Sequence, residues 1–526
     1  MLNARIPAMR NQAWISVLIF GLAVWLAWEI GGKIAAEDLR SIEFTALILV
    51  GSMATLAILR NWRNGFYFFL VWLLFEDLAR KYMGNSMALF FGKDILVGLT
   101  YVSLLVAIRK GREKAFRPPF FLFLSLFFWL GVLQVFNPNS PSILYGLLGF
   151  KLYFYYVPLI FVGYCLIRSD EDLRKFLVAN AVLAGLISLL GIIQAIVGHS
   201  FLNPTNLAPE LRDLGELDKV TPITNQVVSL PSSVFVSAGR FGFYLIIAFI
   251  LTLGTAGYLV LYVRRNRILV YAVIALIAGA ALFSGSRGAV VYCSASALVL
   301  AVGFLWGAPW RWQQAHRMVK AIRRSFIFAA LGLTALLILF PIEAGSRLAF
   351  YTETLSPSSS AYEITGRAWD YPIQGLLGAF NRPNWLLGNG IGTASLGTQY
   401  VAKLLGERPP ALWVEEGYGQ LIIELGIIAP FLWLLWTGAL LYHEWKVLLR
   451  LRQTRFFPIA LAIFWYSFLL LYPFTYGGLS PYHNYVSNVY LWLMIGILFR
   501  LPHLPASPPV SSVVPRQHSA RGGFNF

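Results

Sequence analysis

The stretch Phe241–Tyr262 reads FGFYLIIAFILTLGTAGYLVLY and contains no charged side chain. At 1.5 Å per residue, a helix of this length crosses the ~30 Å hydrocarbon core of a bilayer. Just behind it stand Arg264, Arg265 and Arg267, the cationic flank typical of the cytoplasmic end of a span. The pattern recurs along the chain. Apolar runs near 13–31, 43–60, 65–82, 87–108, 118–136, 144–167, 175–197, 240–262, 268–286, 289–308, 325–343, 418–442, 457–475 and 485–501 amount to about fourteen spans. Composition agrees: 58% of residues are hydrophobic and only 13% charged, where a soluble domain carries about a quarter. A soluble enzyme, a secreted disulfide scaffold and a disordered protein are excluded. The expected fold class is an all-α polytopic membrane protein.

The formal charge of +18 follows from topology rather than from a nucleic-acid partner. With the amino terminus inside, roughly 27 Lys and Arg fall on the cytoplasmic side and roughly 15 outside, while the acids sort roughly 5 to 19. Most inside cations come in short clusters, such as Arg109, Lys110, Arg112 and Lys114; Arg311, Arg317, Lys320, Arg323 and Arg324; or Lys446, Arg450, Arg452 and Arg455. These orient the spans and meet anionic headgroups. The two cysteines, Cys165 and Cys293, fall inside spans, so no disulfide framework is expected. No cleavable signal peptide is evident, because the first apolar run is long enough to span.

The expected organisation is eleven spans over 1–343, with an outside segment at 198–239. A large extracytoplasmic loop over 344–417 and three last spans over 418–501 follow, then a disordered cytoplasmic tail over 502–526. Within the large loop, Ala368, Trp369, Ile373, Leu376, Leu377 and Phe380 recur near helical spacing, which predicts an amphipathic helix over 367–380. The glycine run Gly388-Asn389-Gly390-Ile391-Gly392 falls short of a dinucleotide fingerprint.

The outside cations are the informative ones, because orientation does not require them. Arg287 sits in the turn Phe283-Ser284-Gly285-Ser286-Arg287-Gly288, and Arg240 opens the eighth span. Arg347 begins the large loop and Arg367 follows Thr365-Gly366. Lys151 lies inside the sixth span, and Lys93-Asp94 begins the fourth. Ionisable groups at such depth mark sites or pairs, and the planar fork of arginine suits phosphate oxygens. No histidine cluster offers a metal site, so arginines are expected to neutralise a phosphate or diphosphate. An acidic cluster complements them: Glu415-Glu416-Gly417-Tyr418, with Glu416, Gln420 and Glu424 spaced to share a helix face. A partly desolvated carboxylate there could act as general base, or simply stabilise a helix N-terminus. His483, in Pro481-Tyr482-His483-Asn484, is a further candidate.

In motifs and layout over roughly 66–430 the chain resembles the O-antigen ligase and polysaccharide polymerase superfamily of bacterial membrane glycosyltransferases. Ser284-Gly285-Ser286-Arg287-Gly288-Ala289 is similar to the family's Ser-Arg-Gly turn, and Thr365-Gly366-Arg367-Ala368-Trp369 to its Arg-x-Trp. Leu387-Gly388-Asn389-Gly390-Ile391-Gly392 resembles its Gly-x-Gly-x-Gly run, and Ile422-Ile423-Glu424-Leu425-Gly426 its Glu-Leu-Gly helix start. Phe75-Glu76-Asp77-Leu78-Ala79-Arg80-Lys81 with Lys93-Asp94 looks like a pattern of exopolysaccharide-type members.

The resemblance implies a metal-independent, inverting transfer at the outer face of the bacterial cytoplasmic membrane, without cofactor; the charge topology of about fourteen spans predicts both termini cytoplasmic. The partners implied are a polyprenyl-diphosphate-linked oligosaccharide donor, a glycan acceptor and the lipid bilayer. A polysaccharide flippase and chain-length or export proteins belong to the same set. Arg287 and Arg367, with Arg240 or Arg347, are expected to stabilise the leaving diphosphate, and Glu416 to take the acceptor's proton. Lys151, Tyr418, Glu424 and His483 are expected to bind substrate. The family's ligases carry a His-Asn pair just before the Glu-Leu-Gly helix; here those positions read Glu416-Gly417-Tyr418. Either Glu416 is the base or the acceptor chemistry differs. The departure favours a polymerase over an O-antigen ligase proper, and a membrane transporter of an anion or lipid-linked glycan is the alternative of another class.

Overall fold

The computed structural model describes residues 51–504, apart from 54, 86, 263–266, 308–319, 413 and scattered positions between 321 and 337. The expected span 13–31, parts of those at 43–60 and 325–343, the cations Arg264, Arg265, Arg311 and Arg317, and the tail beyond 504 lie outside the described residues.

Seven helices among the described residues are long and apolar enough to cross a membrane: Leu89–Arg109, Ile143–Leu166, Asp170–Val197, Ala238–Leu261, Arg287–Gly307, Phe457–Gly477 and Tyr485–His503. Phe121–Val135 and Ile268–Phe283 are shorter apolar helices. Helix is the expected outcome for such sequences, since hydrocarbon offers backbone groups no other partner. The chain is therefore an all-α membrane protein. Its only strands among the described residues are β1 (Leu217–Val220) and β2 (Val227–Leu230).

The described chain divides into two units, one holding residues up to Trp72 with Gly92–Ala107 and the other holding Leu73–Phe91 with everything from Ile108 onward. In the first, the Ser103 hydroxyl donates to the Ile58 carbonyl at 3.1 Å, and Lys93 and Asp94 belong to this unit. The second unit holds every other candidate residue.

At the centre of the larger unit, the last long helix (Tyr485–Arg500) is buried along nearly its whole length. It packs backbone to backbone on Leu159–Leu166. A Cβ on Gly163 would lie 2.1 Å from the Leu493 carbonyl oxygen, and one on Gly496 the same distance from that of Ile160. Small residues at a crossing allow this approach where lipid supplies no hydrophobic drive. Beside it Trp433, Trp436, Trp492, Phe127 and Tyr482 interlock edge-on or stacked.

Two expected spans are broken. The run 144–167 becomes Ile143–Phe154 and Leu159–Leu166, with Pro158 as N-cap of the second. The run 418–442 becomes Gly417–Leu425 and Ile428–Arg450, because Gly426 adopts φ +87°. A Cβ there would lie 2.7 Å from the Leu386 carbonyl oxygen, so the break is where the chain from 386 presses against the helix end. Segment 198–239 holds a helix (Pro209–Gly215) and the β1–β2 hairpin, antiparallel with Lys219 opposite Val228 and Asp218 opposite Ser229. Segment 344–417 holds the helix Pro341–Leu355 from its first residues, a π turn (Gly366–Asp370), and the helices Tyr371–Ala379 and Thr398–Leu405. The expected amphipathic stretch is thus helical from 366 to 379, but Trp369 and Leu377 remain exposed.

Candidate functional site

Strand alternation decides what the hairpin presents. Asp218 and Ser229 share one face, where His199 Nε2 lies 2.9 Å from Asp218 and 2.6 Å from Ser229. Lys219, Val228 and Leu230 share the other, and Val228 and Leu230 cluster with Phe350 of the helix Pro341–Leu355. The same helix fastens the turn. Glu353 accepts hydrogen bonds from the N–H groups of Ile223 (2.7 Å) and Thr224 (3.2 Å) and from the Thr224 hydroxyl (2.7 Å).

Lys219 is delivered in this way to Arg287, the first residue of the helix Arg287–Gly307. The Lys219 ammonium lies 5.5 Å and the Arg287 guanidinium 5.3 Å from the centroid of the Phe350 ring. Arg287 Nη1 is 2.8 Å from a carboxylate oxygen of Glu363. Glu363 is also 3.6 Å from Arg367 Nε, and Arg367 Nη1 donates to Glu415 at 3.0 Å. A chain of alternating charge therefore runs Arg287, Glu363, Arg367, Glu415, with Lys219 alongside. The Arg287 guanidinium beside it, against a smaller opposing effect of burial, holds the Glu363 carboxyl below its usual range. Burial, then the charges of Arg287 and Arg367, pushes the Lys219 ammonium below its own.

The chain ends one residue from Glu416, whose side chain is 1% exposed. Glu416 is the N-cap of Gly417–Leu425; its carboxylate accepts from Tyr418 N–H at 2.7 Å and from Gly419 N–H. It is enclosed because its neighbours are small. A Cβ on Gly375 would fall 2.6 Å from the Glu416 Cβ, and one on Gly417 would fall 2.0 Å from the Thr475 carbonyl oxygen. Burial raises the Glu416 carboxyl to about 7, against the lowering effect of the two N–H groups. Tyr418, half-buried, follows it.

Glu424 and Gln420 lie on the same helix, with Gln420 Nε2 donating to Glu424 at 3.2 Å. Glu424 also accepts from Ser395 Oγ (2.6 Å), Ala394 N–H (3.0 Å) and Tyr153 Oη (3.1 Å). Those donors fasten the glycine run: Gly388, Gly390 and Gly392 all have positive φ, and Asn389 N–H bonds the Ile423 carbonyl at 2.8 Å. In this arrangement Glu424 is a clasp for residues 388–395. His483 is buried edge-on against Tyr153, ring centroids 4.6 Å apart, and neither ring nitrogen has a hydrogen-bond partner among the described residues. Burial holds the imidazole neutral.

Three expected substrate-binding cations lie elsewhere. Arg240 Nη1 bonds both oxygens of Asp77 (2.8 and 3.1 Å) and Tyr485 Oη (3.1 Å), and Arg80 pairs with the same aspartate at 3.2 Å. Lys81 donates to Ser232 Oγ and to the Ser233 carbonyl. Arg347 donates to the carbonyls of Phe283 (2.8 Å), Glu343 (2.7 Å), Ala195 (3.2 Å) and Ser229 (2.9 Å), fastening the ends of two apolar helices to the hairpin. Both arginines are thereby removed from the group expected to face a diphosphate: Arg240 serves a buried carboxylate, Arg347 backbone carbonyls. Lys151 rests between Phe90 and Phe91, 4.8 and 4.6 Å from their centroids.

Reading the sequence alone missed Lys219, Glu363 and Glu353. Glu363 stands four residues before Arg367, a spacing that signals a pair on a helix; nothing local marks the other two. No protein-family model matches the chain, and no curated protein or solved structure is significantly similar to it.

Proposed function

We propose that the protein is a membrane glycosyltransferase that extends or ligates glycans at the outer face of the bacterial cytoplasmic membrane, in the manner of surface-polysaccharide polymerases. In this reading the chain crosses about fourteen times, with 344–417 outside and both termini inside. The observation that carries it is the meeting of Arg287 and Arg367 on Glu363, next to a buried carboxylate at Glu416. Two forks within reach of one carboxylate suit the two phosphates of a polyprenyl diphosphate.

The chemistry needs no cofactor. The acceptor hydroxyl attacks the anomeric carbon of the donor, the bond from that carbon to the diphosphate oxygen breaks, and its electron pair leaves with the phosphate. Arg287 and Arg367 stabilise the growing charge. Glu416 takes the hydroxyl proton; two of its roughly four lone-pair sites hold the helix N–H groups, which leaves others for that proton. A carboxyl raised to about 7 is matched to this task near neutral pH.

The test is reconstitution of the full chain in vesicles with a polyprenyl-diphosphate-linked oligosaccharide and an acceptor glycan, without nucleotide. Chain growth lost in Arg287→Ala and Arg367→Ala supports the reading. Absence of growth with the intact protein, or passage of the lipid-linked sugar across the vesicle wall instead, overturns it.

A further inference from the structure

The cluster beside Phe350 holds three cations against two carboxylates, and the surplus is not shared evenly. Arg287 and Arg367 are paired with Glu363 and Glu415. Lys219 has no hydrogen bond or ion pair among the described residues; its ammonium stands 5.5 Å from the centroid of the Phe350 ring. Lysine on a surface strand ordinarily extends its ammonium into water. Here Glu353 and Arg347 fix the hairpin on the helix beneath, and the ammonium stays half-buried beside two guanidinium groups, an arrangement that an added anion relieves.

The anion now in place is the movable one. Glu363 is 39% exposed against 18% for Arg287, and it sits between the helix ending at Leu355 and the π turn from Gly366. It takes from Arg287 and Arg367 the contacts a phosphate would take.

We propose that Arg287, Arg367 and Lys219 form a three-cation diphosphate seat in which Glu363 is the resident stand-in, displaced when a diphosphate enters. This rests on the reading above that the donor is a lipid-linked diphosphate. Lys219 then has a defined part in turnover. When the bond from anomeric carbon to phosphate oxygen breaks, the terminal phosphate keeps the electron pair and gains most of a further negative charge at neutral pH. The acceptor oxygen bonds the anomeric carbon, and its proton goes to Glu416. Lys219, the member of the three that no carboxylate holds among the described residues, meets the added charge. Glu363 in its place excludes monovalent anions from the resting seat.

The experiment measures binding to the full-length protein in nanodiscs of uncharged lipid. Polyprenyl diphosphate, polyprenyl monophosphate and inorganic pyrophosphate are titrated separately. Glu363→Gln is expected to tighten diphosphate binding about two- to fivefold, the range of a partly exposed ion pair. Lys219→Met is expected to weaken diphosphate about tenfold and monophosphate about threefold, with Lys219→Arg restoring both. Free pyrophosphate following the same order among variants identifies the headgroup as what is read. Discrimination seen only with the lipid form adds the carrier's tail to the seat, since the cations still rank the two headgroups.

Diphosphate binding unchanged in Lys219→Met, or weakened in Glu363→Gln, overturns the inference. If Arg287→Ala abolishes binding while both of those variants match the parent protein, the glycosyltransferase reading stands and only the seat falls. If the intact protein binds no diphosphate of any kind, both fall.

Discussion

Two groups of arginines, all singled out by the same sequence argument, end in opposite circumstances. Arg240 and Arg347 are locked. One lies on a carboxylate that is 1% exposed, the other on four backbone carbonyls, and every partner is fixed in the fold. Among the described residues, the carboxylates that engage Arg287 and Arg367 are Glu363 and Glu415, both half in solvent. A guanidinium has five donors in either place; what differs is whether its partners can leave. Breaking a buried pair costs far more than the pair is worth, so locked arginines hold structure. Partners that water can replace cost little to exchange, so the other pair is free to take a ligand.

The comparison makes its sharpest statement about stability. Arg240→Ala removes the bidentate partner of the buried Asp77 and should cost about 3–5 kcal/mol. Arg287→Ala should cost below about 1 kcal/mol. Thermal unfolding in nanodiscs reads both, and similar losses would dissolve the distinction. Activity should reverse the order. Arg287→Ala, folded, should slow chain growth by about 10²–10³, the usual effect of removing one preorganised charge donor. Arg347→Lys keeps the charge but loses the fork; it should lower the unfolding temperature and leave the growth rate of the folded fraction near that of the parent. A smaller effect is expected at Gly375, whose missing Cβ makes room for Glu416. Gly375→Ala should cost about 1–3 kcal/mol of packing and reduce kcat while the donor KM changes little.

The sequence showed the apolar runs because hydrocarbon imposes one period and one length on a helix. It did not show where a run breaks. Gly426 looks like any glycine of a span until the chain from 386 is laid against it. The two strands were invisible for a related reason: Leu217-Asp218-Lys219-Val220 is mostly exposed and four residues long, with too few positions to display alternation. Arg287 and Arg367 were legible as unexplained cations. Whether an arginine is spent or spare depends on partners distant in sequence: Asp77 for Arg240, and for Arg347 the carbonyls of Ala195, Ser229 and Phe283. Backbone carbonyls leave no mark in a sequence at all.

A last prediction ties Glu416 to the labile group. Burial raises its carboxyl from 4.5 to about 7, so between those values the folded protein binds a proton that the unfolded chain has released. Stability carried by that proton is greatest at the acid end and falls as pH rises through about 7, by linkage. A base must be ionised, so the rate of chain growth should move the other way, rising by at most tenfold per pH unit below about 7 and levelling above it. Glu416→Gln cannot release a proton: it should grow chains about 10²-fold more slowly, with a rate flat across that window. A pH–rate profile of the reconstituted protein beside an unfolding series in the same buffers reads both slopes. If rate and stability rise together, or if Glu416→Gln keeps the parent's profile, the proton belongs to another group and Glu416 is a helix cap alone.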